Sequence, residues 1–416
     1  MAKIGLNSVS AQVFTVKSCE AEKNDRERAD IIALGRLLNY SYAQKGKNAL
    51  DLAMKRNSGQ EAPRLDGSRY SRANEEFRRK HLLYAARLTC LSTGQNPPED
   101  YETFVKMSQN FYGDPQFYRV LQGIYVEIIT PILPAVYSEA VSAWADVVEV
   151  GFGETFSIAV GSNDIPIFQD SSWGASRSVP RNRLYDATYT LNPTPKSAWI
   201  TAKWMQLVGN GMDFGRFFTN IAAGMYAKTM GMWNEALTAA TADTALIPAA
   251  LNYTFNTPNW VAAANKIAAL NGTSISNLIA VGGMVPLSKV LPTQTTGSTN
   301  LNMDAAIATL LGADYTRAGY LGEFMAVRLL PMMDAIVPGT QNTTVQTVLS
   351  QNDIWMMAGN GYKPMTIAYN SGTPITLEMD PTRTADFEIG INVTIALDAV
   401  AVFASKLAHF TIPSGS

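Results

Sequence analysis

The stretch that decides the fold runs from Ser197 to Val208 (SAWITAKWMQLV) and continues from Asp213 to Ala240 (DFGRFFTNIAAGMYAKTMGMWNEALTAA). The first segment reads as extended chain, and the second repeats apolar residues at helical spacing, which predicts one long helix. A polar arm interrupted by glycine and proline, Gly161 to Pro195, precedes both segments. An arm of this length is too long to bury itself. This order of parts indicates a subunit that completes its folding on neighbouring copies, and it suits an enzyme poorly.

The long helix is interrupted by Gly215, Gly224 and Gly231. Each glycine in a helix interior costs about 0.5–1 kcal/mol relative to alanine. Three such positions predict that another element packs very closely against this helix, or that the helix bends.

The composition is short of charge. Charged residues make up 16% of the 416 residues, against about 25% in a typical soluble domain. Between residues 201 and 300 only Asp213, Glu235 and Asp243 are acidic. A surface mostly covered by identical neighbours needs less charge for solubility than the surface of a free monomer. A large core with polar, uncharged loops would give the same composition.

The net charge of −2 is unevenly distributed along the chain. Residues 1–98 carry 17 Lys or Arg and 10 Asp or Glu, a balance of +7, which leaves −9 for the remainder. Such a split predicts that the amino-terminal part faces a polyanion. A solvated helical face is an equally good interpretation of the same charges.

Patterns along the chain divide it into segments. The first part reads as short helices joined by polar links, an arm or small bundle without a deep core of its own. From Val147 apolar and polar residues alternate, which predicts a long hairpin over residues 155 to 205. Phe387 to Leu397 alternates strictly and predicts a strand with one buried and one polar face. The predicted fold class is α+β, with segments at 1–146 (helical N-terminal arm or extension), 147–208 (hairpin and return strand), 209–256 (long helix and the part that follows it), 257–370 (compact α/β unit) and 371–416 (closing strands).

The sequence offers little for catalysis. Its two histidines, His81 and His409, are too few for a histidine metal cluster, and both are interpreted as packed or surface residues. A G-x-S-x-G elbow and a P-loop are missing, and the G-x-G pairs lack the third glycine of a dinucleotide site. We therefore predict no catalytic residue, no cofactor and no metal.

Targeting and redox signals are equally sparse. Cys19 and Cys90 are too few and too far apart for a disulfide framework. The amino terminus does not resemble a secretory signal, and no apolar run is long enough to span a membrane. Synthesis in a reducing cytosol is the expectation.

The order of parts resembles the tailed-phage major capsid proteins, which have the Hong Kong 97 fold. The pattern Arg177-Ser-Val-Pro-Arg-Asn-Arg-Leu-Tyr-Asp-Ala-Thr-Tyr-Thr-Leu-Asn-Pro is similar to that family's E-loop, and Lys196-Ser-Ala-Trp-Ile-Thr-Ala-Lys-Trp is similar to its return strand. The helix that follows is similar to the family's spine helix. The likeness covers residues 147–416, and residues 1–146 are longer and more helical than the family's simple N-terminal arm.

The resemblance implies a Hong Kong 97-like α+β capsid fold with an extended helical N-terminal arm, a long β-hairpin E-loop, a spine helix, and peripheral (P) and axial (A) domains. It implies self-assembly into hexamers and pentamers that form an icosahedral virion shell, with packaged double-stranded DNA on the inner face. Scaffold, portal and decoration proteins are further candidate partners. The protein would be made in the host bacterial cytoplasm. Inter-subunit contacts are then expected at Arg177, Arg181, Arg183, Trp199 and Trp204.

Other functions stay open from the residues alone. An encapsulin-like bacterial nanocompartment shell would use the same fold around a cargo enzyme, and the basic amino-terminal third favours a viral shell over it. An enzyme with an unrecognised carboxylate site at Asp164, Asp170 and Asp186 is disfavoured by the scarcity of histidine. A tail-tube or surface-layer protein would lack the long helix after a β-arm.

Overall fold

The computed structural model describes residues 24–42, 67–130, 145–151, 153–161, 185–209, 211–242, 247–291, 318–332, 334–359, 365–370, 375–378, 388–401 and 407–413. Within these ranges the chain is α+β and forms two compact units. Unit 1 combines the described residues within three segments of the chain, Met1–Val136, Lys196–Ala223 and Thr373–Ile395. Unit 2 contains the remainder.

The helices are, in chain order, α1 (24–42), α2 (Gly67–Thr93), α3 (Tyr101–Phe111), α4 (Pro115–Ile129), α5 (Trp204–Val208), α6 (Phe214–Ala242), α7 (Thr257–Leu270) and α8 (Met284–Ser288). The strands are β1 (Ala145–Glu149), β2 (Phe156–Gly161), β3 (Tyr185–Leu191), β4 (Thr194–Lys203), β5 (Asn252–Thr254), β6 (Leu278–Gly283), β7 (Glu323–Phe324), β8 (Val327–Met332), β9 (Asp353–Ala358), β10 (Met365–Asn370), β11 (Ile375–Glu378), β12 (Glu388–Ala401) and β13 (Ala408–Thr411).

The two most regular sequence patterns give the predicted elements. The long helix expected over Asp213–Ala240 is α6, and the alternating strand expected over Phe387–Leu397 is β12. The extended segment predicted to run to Val208 ends earlier, at Lys203, because the next five residues form α5. Leu207 and Val208 are buried as a helical turn.

Unit 1 has a deep aromatic core, contrary to the expectation that its helices would lack one. Phe77 and Phe117 are fully buried, and so is Phe214 at the start of α6. The Phe77 and Phe214 rings meet edge to face at 5.1 Å. The sequence expectation was wrong because it considered the amino-terminal helices alone, whereas α6 supplies aromatic rings from more than a hundred residues further along the chain.

Helix ends in unit 1 are set by local capping. Asp100 accepts a hydrogen bond from the Thr103 amide at 2.8 Å at the start of α3. Asp114 does the same for the Gln116 amide at 2.8 Å at the start of α4, where Pro115 occupies the first turn. Such caps satisfy amides that have no intrahelical acceptor, and they fix α3 and α4 as separate short helices.

In unit 2 the predicted hairpin is present between β2 and β3, but its pairing ends at Leu191 rather than at residue 205, because β4 pairs with β12 instead. β2 and β3 are antiparallel, with Phe156 opposite Leu191. β1 runs parallel to β10, with Ala145 opposite Met365. Val150, Leu191 and Ala368 form a small buried cluster beneath these strands.

A six-stranded sheet with the order β5-β13-β9-β6-β8-β7 forms the other part of unit 2. β6 is antiparallel to β9 and parallel to β8. α7 supplies Trp260, which is fully buried and lies 4.9 Å from the Phe410 ring of β13. The sheet therefore joins strands from residues 252 to 411.

β12 is long enough to serve two different partners. Its first half pairs with β11 in unit 1, with Gly390 opposite Glu378. Its second half pairs with β10 in unit 2, with Ala401 opposite Met365.

Candidate functional site

The structure describes two of the five residues predicted to make inter-subunit contacts. Trp199 lies on β4 and is 45% exposed. Trp204 begins α5 and is 2% exposed, because its ring packs against Phe117 and Tyr112 of the same unit. The other three, Arg177, Arg181 and Arg183, lie outside the described residues. An inter-subunit role for these five residues stays a prediction.

β4 is held by β12 within unit 1. The hydroxyls of Ser197 and Thr394 are 2.8 Å apart across the pair. A Cβ atom on Gly390 would overlap the Trp199 ring. Glycine at 390 is therefore what allows this half-exposed indole to lie flat across the neighbouring strand.

The joint between β4 and α6 is bound by several side chains of the amino-terminal helices. We define the joint as the residues from Val208 to Phe214 that the structure describes. Its partners come from one face of α2, where polar residues follow each other at intervals of four: Tyr70, Asn74 and Arg78. We call these three side chains, together with Tyr101 of α3, the clamp.

Asn74 uses both ends of its amide on the joint. Its Nδ2 donates to the Met212 carbonyl at 3.0 Å, and its Oδ1 accepts from the Phe214 amide at 3.0 Å. The Phe214 amide is one of the first amides of α6 and has no intrahelical acceptor. One side chain therefore fixes both the last turn of the connection and the start of the long helix.

Arg78 holds the other end of the joint. It is 5% exposed, and Nη1 donates to the Val208 carbonyl at 2.7 Å and also to the Gly209 carbonyl. The Tyr101 hydroxyl donates to the same Val208 carbonyl at 2.5 Å. These are the free carbonyls at the end of α5, where a positive charge is favoured by the helix dipole.

The positive charge of Arg78 is only partly neutralised by a nearby carboxylate. Its nearest carboxylate oxygen, on Glu75, is 3.9 Å away, and its Nε has no hydrogen-bond partner among the described residues. The guanidinium carbon lies 5.5 Å from the centre of the Tyr101 ring, which provides a cation–π contact. A buried charge with so little neutralisation is costly to keep.

Tyr70 closes the clamp at the start of α6. Its hydroxyl donates to Asp213 Oδ1, and the same oxygen accepts from the Arg216 amide at 3.1 Å as the cap of the helix. Burial, and then the hydrogen bond to Asp213, raise the pKa of Tyr70 well above its usual value. The hydroxyl therefore stays protonated and remains a donor throughout the physiological range.

Gly215 and Gly224 lie in contrasting surroundings on α6. A Cβ on Gly215 would overlap Tyr70 Oη and lie 2.8 Å from the Leu38 carbonyl oxygen. A Cβ on Gly224 would have no described atom within 4 Å. The close approach predicted from the glycines is therefore present within the chain at Gly215, while the helix surface at Gly224 is open.

His81 lies in the aromatic core below the clamp. Its ring stacks on Phe77 with centres 4.5 Å apart and is fully buried. Nδ1 donates to the Phe77 carbonyl at 2.6 Å, so Nε2 accepts from the Tyr125 hydroxyl at 3.1 Å. Burial lowers the pKa of His81 to about 3. The prediction of a packed histidine is confirmed.

His409 Nε2 is hydrogen-bonded to Asp353 Oδ1 at 2.8 Å. This hydrogen bond, followed by that of Ser350, holds the pKa of Asp353 below its usual range despite partial burial. Ser350 donates its hydroxyl proton to the other carboxylate oxygen rather than to the imidazole that would activate it as a nucleophile. Among the three carboxylates weighed for an enzyme, Asp164 and Asp170 lie outside the described residues, and Asp186 is described only as part of β3.

The described portions of the chain contain no group of three or more metal-ligating side chains. None of the helices in those portions is long and apolar enough to cross a membrane.

The clamp was not predicted from the sequence. Polar residues at intervals of four on a helix usually mark its solvent face, and α2 has such residues on more than one side. The available signal was Asp213 at the start of α6, whose carboxylate accepts a hydrogen bond from a tyrosine 143 positions earlier.

No protein-family model matches the chain, and no curated protein sequence matches it. Solved structures do. The bacteriophage PhiM1 mature capsid is 12% identical with a TM-score of 0.41, over 65% of this chain and 86% of that chain. The satellite phage P4 procapsid including size determination (Sid) protein is 10% identical with a TM-score of 0.42, over 75% and 97%. The capsid of the native GTA particle is 14% identical with a TM-score of 0.39, over 67% and 90%.

Identities and TM-scores this low do not assign a function to the chain. The three solved structures named here are capsids.

Proposed function

We propose that the protein is a major capsid protein that self-assembles into hexamers and pentamers and closes an icosahedral shell around double-stranded phage DNA. In this proposal it is made in the bacterial cytoplasm, becomes part of the virion capsid, and acts structurally rather than as an enzyme. The observation that carries the proposal is the apolar surface on the segment that returns from the arm. Trp199 is 45% exposed and Met205 is 76% exposed within seven residues of each other.

Large apolar side chains this exposed on one short segment mark a surface that another chain covers. The long helix supports the same conclusion. Its exposed side carries the small or uncharged residues Asn220, Ala223 and Gly224 between the exposed charged residues Arg216 and Lys228, and these three leave room for a neighbouring element. In our proposal the arm of a second copy lies over this side of α6.

The central part of the arm, residues 162–184, connects β2 to β3 and contains the three arginines Arg177, Arg181 and Arg183. Charges at the edge of an interface orient the partners and exclude wrong pairings more than they add affinity. We therefore expect these arginines to meet acidic side chains of the next subunit.

The test is expression of the chain alone, followed by light scattering and negative-stain electron microscopy. We expect hollow particles of megadalton mass. The double variant R181E/R183E is expected to remain folded by circular dichroism but to yield no particles, because reversed charges repel the acidic partners. A well-behaved monomer from the unaltered chain would refute the proposed function, and normal particles from the double variant would refute the role of the arm.

We also propose that the basic amino-terminal segment contacts DNA. The basic side chains that are exposed and not already ion-paired are the best candidates for this contact. Arg79 and Lys80 are already paired, to Glu75 at 2.5 Å and to Glu76 at 2.6 Å. Arg26, Arg69 and Arg72 are exposed and form no ion pair with a described residue. These three arginines are the ones we expect to contact phosphates.

Binding of the disassembled subunit to duplex DNA would be measured from 50 to 300 mM salt. Each phosphate contact steepens the plot of log K against log salt by about 0.9. The triple variant R26Q/R69Q/R72Q is expected to flatten this slope by about 2–3, whereas R79Q, which removes a paired arginine, leaves it nearly unchanged. Equal slopes for all three proteins would show that these arginines do not face DNA.

A further inference from the structure

We infer that the clamp has a positioning role. Through it, α2 and α3 fix the direction of the chain at the joint between β4 and α6, and uniform shells form only when this direction is fixed. The inference deepens the proposed function and rests on it. It assigns a role to the helical amino-terminal segment, which the sequence resemblance leaves without one.

The number and placement of the hydrogen bonds support a positioning role. Carbonyls at Val208, Gly209 and Met212 and the amide of Phe214 are all bound by side chains of α2 or α3. Val208 ends α5, Phe214 begins α6, and the described residues between them belong to neither a helix nor a strand. Their partners are 107 to 140 residues away in the sequence, so the joint holds its direction only when the amino-terminal helices are docked.

The burial of a charged side chain at position 78 also supports a positioning role. Packing alone would be served as well by an apolar side chain of similar volume, since a buried, poorly neutralised charge is costly. Arg78 is nevertheless fully enclosed, and its Nη1 serves two carbonyls of the joint. Its presence is explained by the positions of these carbonyls rather than by the stability of the core.

Gly215 adds a second constraint on the first turn of α6. It brings the helix backbone against Tyr70 and the Leu38 carbonyl, so α1 and α2 contact the helix directly beside the joint. A subunit in a closed shell must present its arm at a limited range of angles to every neighbour, because the same surface is used repeatedly. A joint fixed on both sides limits that range.

The test compares R78M/Y101F with K80M. The first removes the donors to the Val208 and Gly209 carbonyls while keeping similar volume. The second removes an exposed, ion-paired lysine two residues away on the same helix. Hydrogen exchange is measured at the Gly209 and Phe214 amides, which are hydrogen-bonded at the two ends of the joint. The distribution of particle diameters is measured by electron microscopy, and both measurements are made at a temperature where all subunits are folded.

We expect exchange of the Gly209 and Phe214 amides to rise at least tenfold in R78M/Y101F, and its particles to be open or mixed in diameter. K80M should match the unaltered protein in both measurements. Uniform particles from R78M/Y101F, or unchanged exchange at the joint, would overturn the inference. If R78M/Y101F does not fold, Y101F alone, which removes the hydroxyl donor to the Val208 carbonyl, takes its place with the same criteria. Absence of particles from the unaltered chain would refute the proposed function instead, and the exchange measurement would still decide whether the clamp holds the joint.

Discussion

Gly215→Ala is expected to destabilise the subunit by about 3 kcal/mol, although alanine is the better helix former. The added methyl group would overlap Tyr70 Oη and lie 2.8 Å from the Leu38 carbonyl oxygen, which is part of the backbone of α1. Overpacking of this kind costs about 1–3 kcal/mol, and displacing Tyr70 also costs its bond to the Asp213 carboxylate. Urea unfolding followed by circular dichroism, at protein concentrations too low for assembly, measures the loss.

Gly224→Ala is the matched control on the same helix. Nothing described lies within 4 Å of its Cβ position, so the substitution is expected to stabilise the subunit by about 0.5–1 kcal/mol through helix propensity. Tyr70→Phe in the Gly215→Ala background should recover part of the loss, because it removes the overlapping hydroxyl. Equal effects of alanine at positions 215 and 224 would mean that α6 does not approach α1 and α2 as the structure shows.

Acid is expected to weaken unit 1 through His81. Because burial lowers the folded-state pKa to about 3 from 6.5, the neutral imidazole stabilises the folded state fully above pH 6.5, and this contribution is lost as the pH falls towards 3. At pH 4.5 the free energy of unfolding should have fallen by roughly 3 kcal/mol from this residue alone. The double variant H81F/Y125F should lack that part of the pH dependence.

The second substitution is needed because His81→Phe alone leaves the Tyr125 hydroxyl without its acceptor. Y125F alone keeps the histidine and serves as the control, with the acid sensitivity of the unaltered protein. Urea midpoints at several values between pH 8 and pH 4.5 give the comparison. If H81F/Y125F loses as much stability as Y125F over this range, His81 is not buried in its neutral form.

Elements with a strong local period could be predicted from the sequence. Both ends of α6 and the start of β12 lie within two residues of their predicted positions, and β12 ends four residues later than predicted. The agreement arises because an apolar repeat reports which side of a helix or strand is buried. The start of the β2–β3 hairpin was expected for the same reason, but not its end at Leu191, since which strand β4 pairs with depends on tertiary structure. The short helix α5 was missed, because five residues with Trp204, Leu207 and Val208 buried have too little length to distinguish a helical from an extended period.

The same distinction applies to the candidate site, of which some features could be predicted from the sequence and others could not. The sequence by itself determined that a long helix lies at Asp213–Ala240, that charge is scarce, and that basic residues are in excess in the amino-terminal part. Only the tertiary structure decided that Trp199 is half-exposed while Trp204 is enclosed, and that Tyr70, Asn74 and Arg78 bind the joint. The physical reason is that local periods record burial within one element. A buried hydrogen bond between residues 130 or more positions apart depends on how separate elements dock, and no short stretch of sequence contains that information.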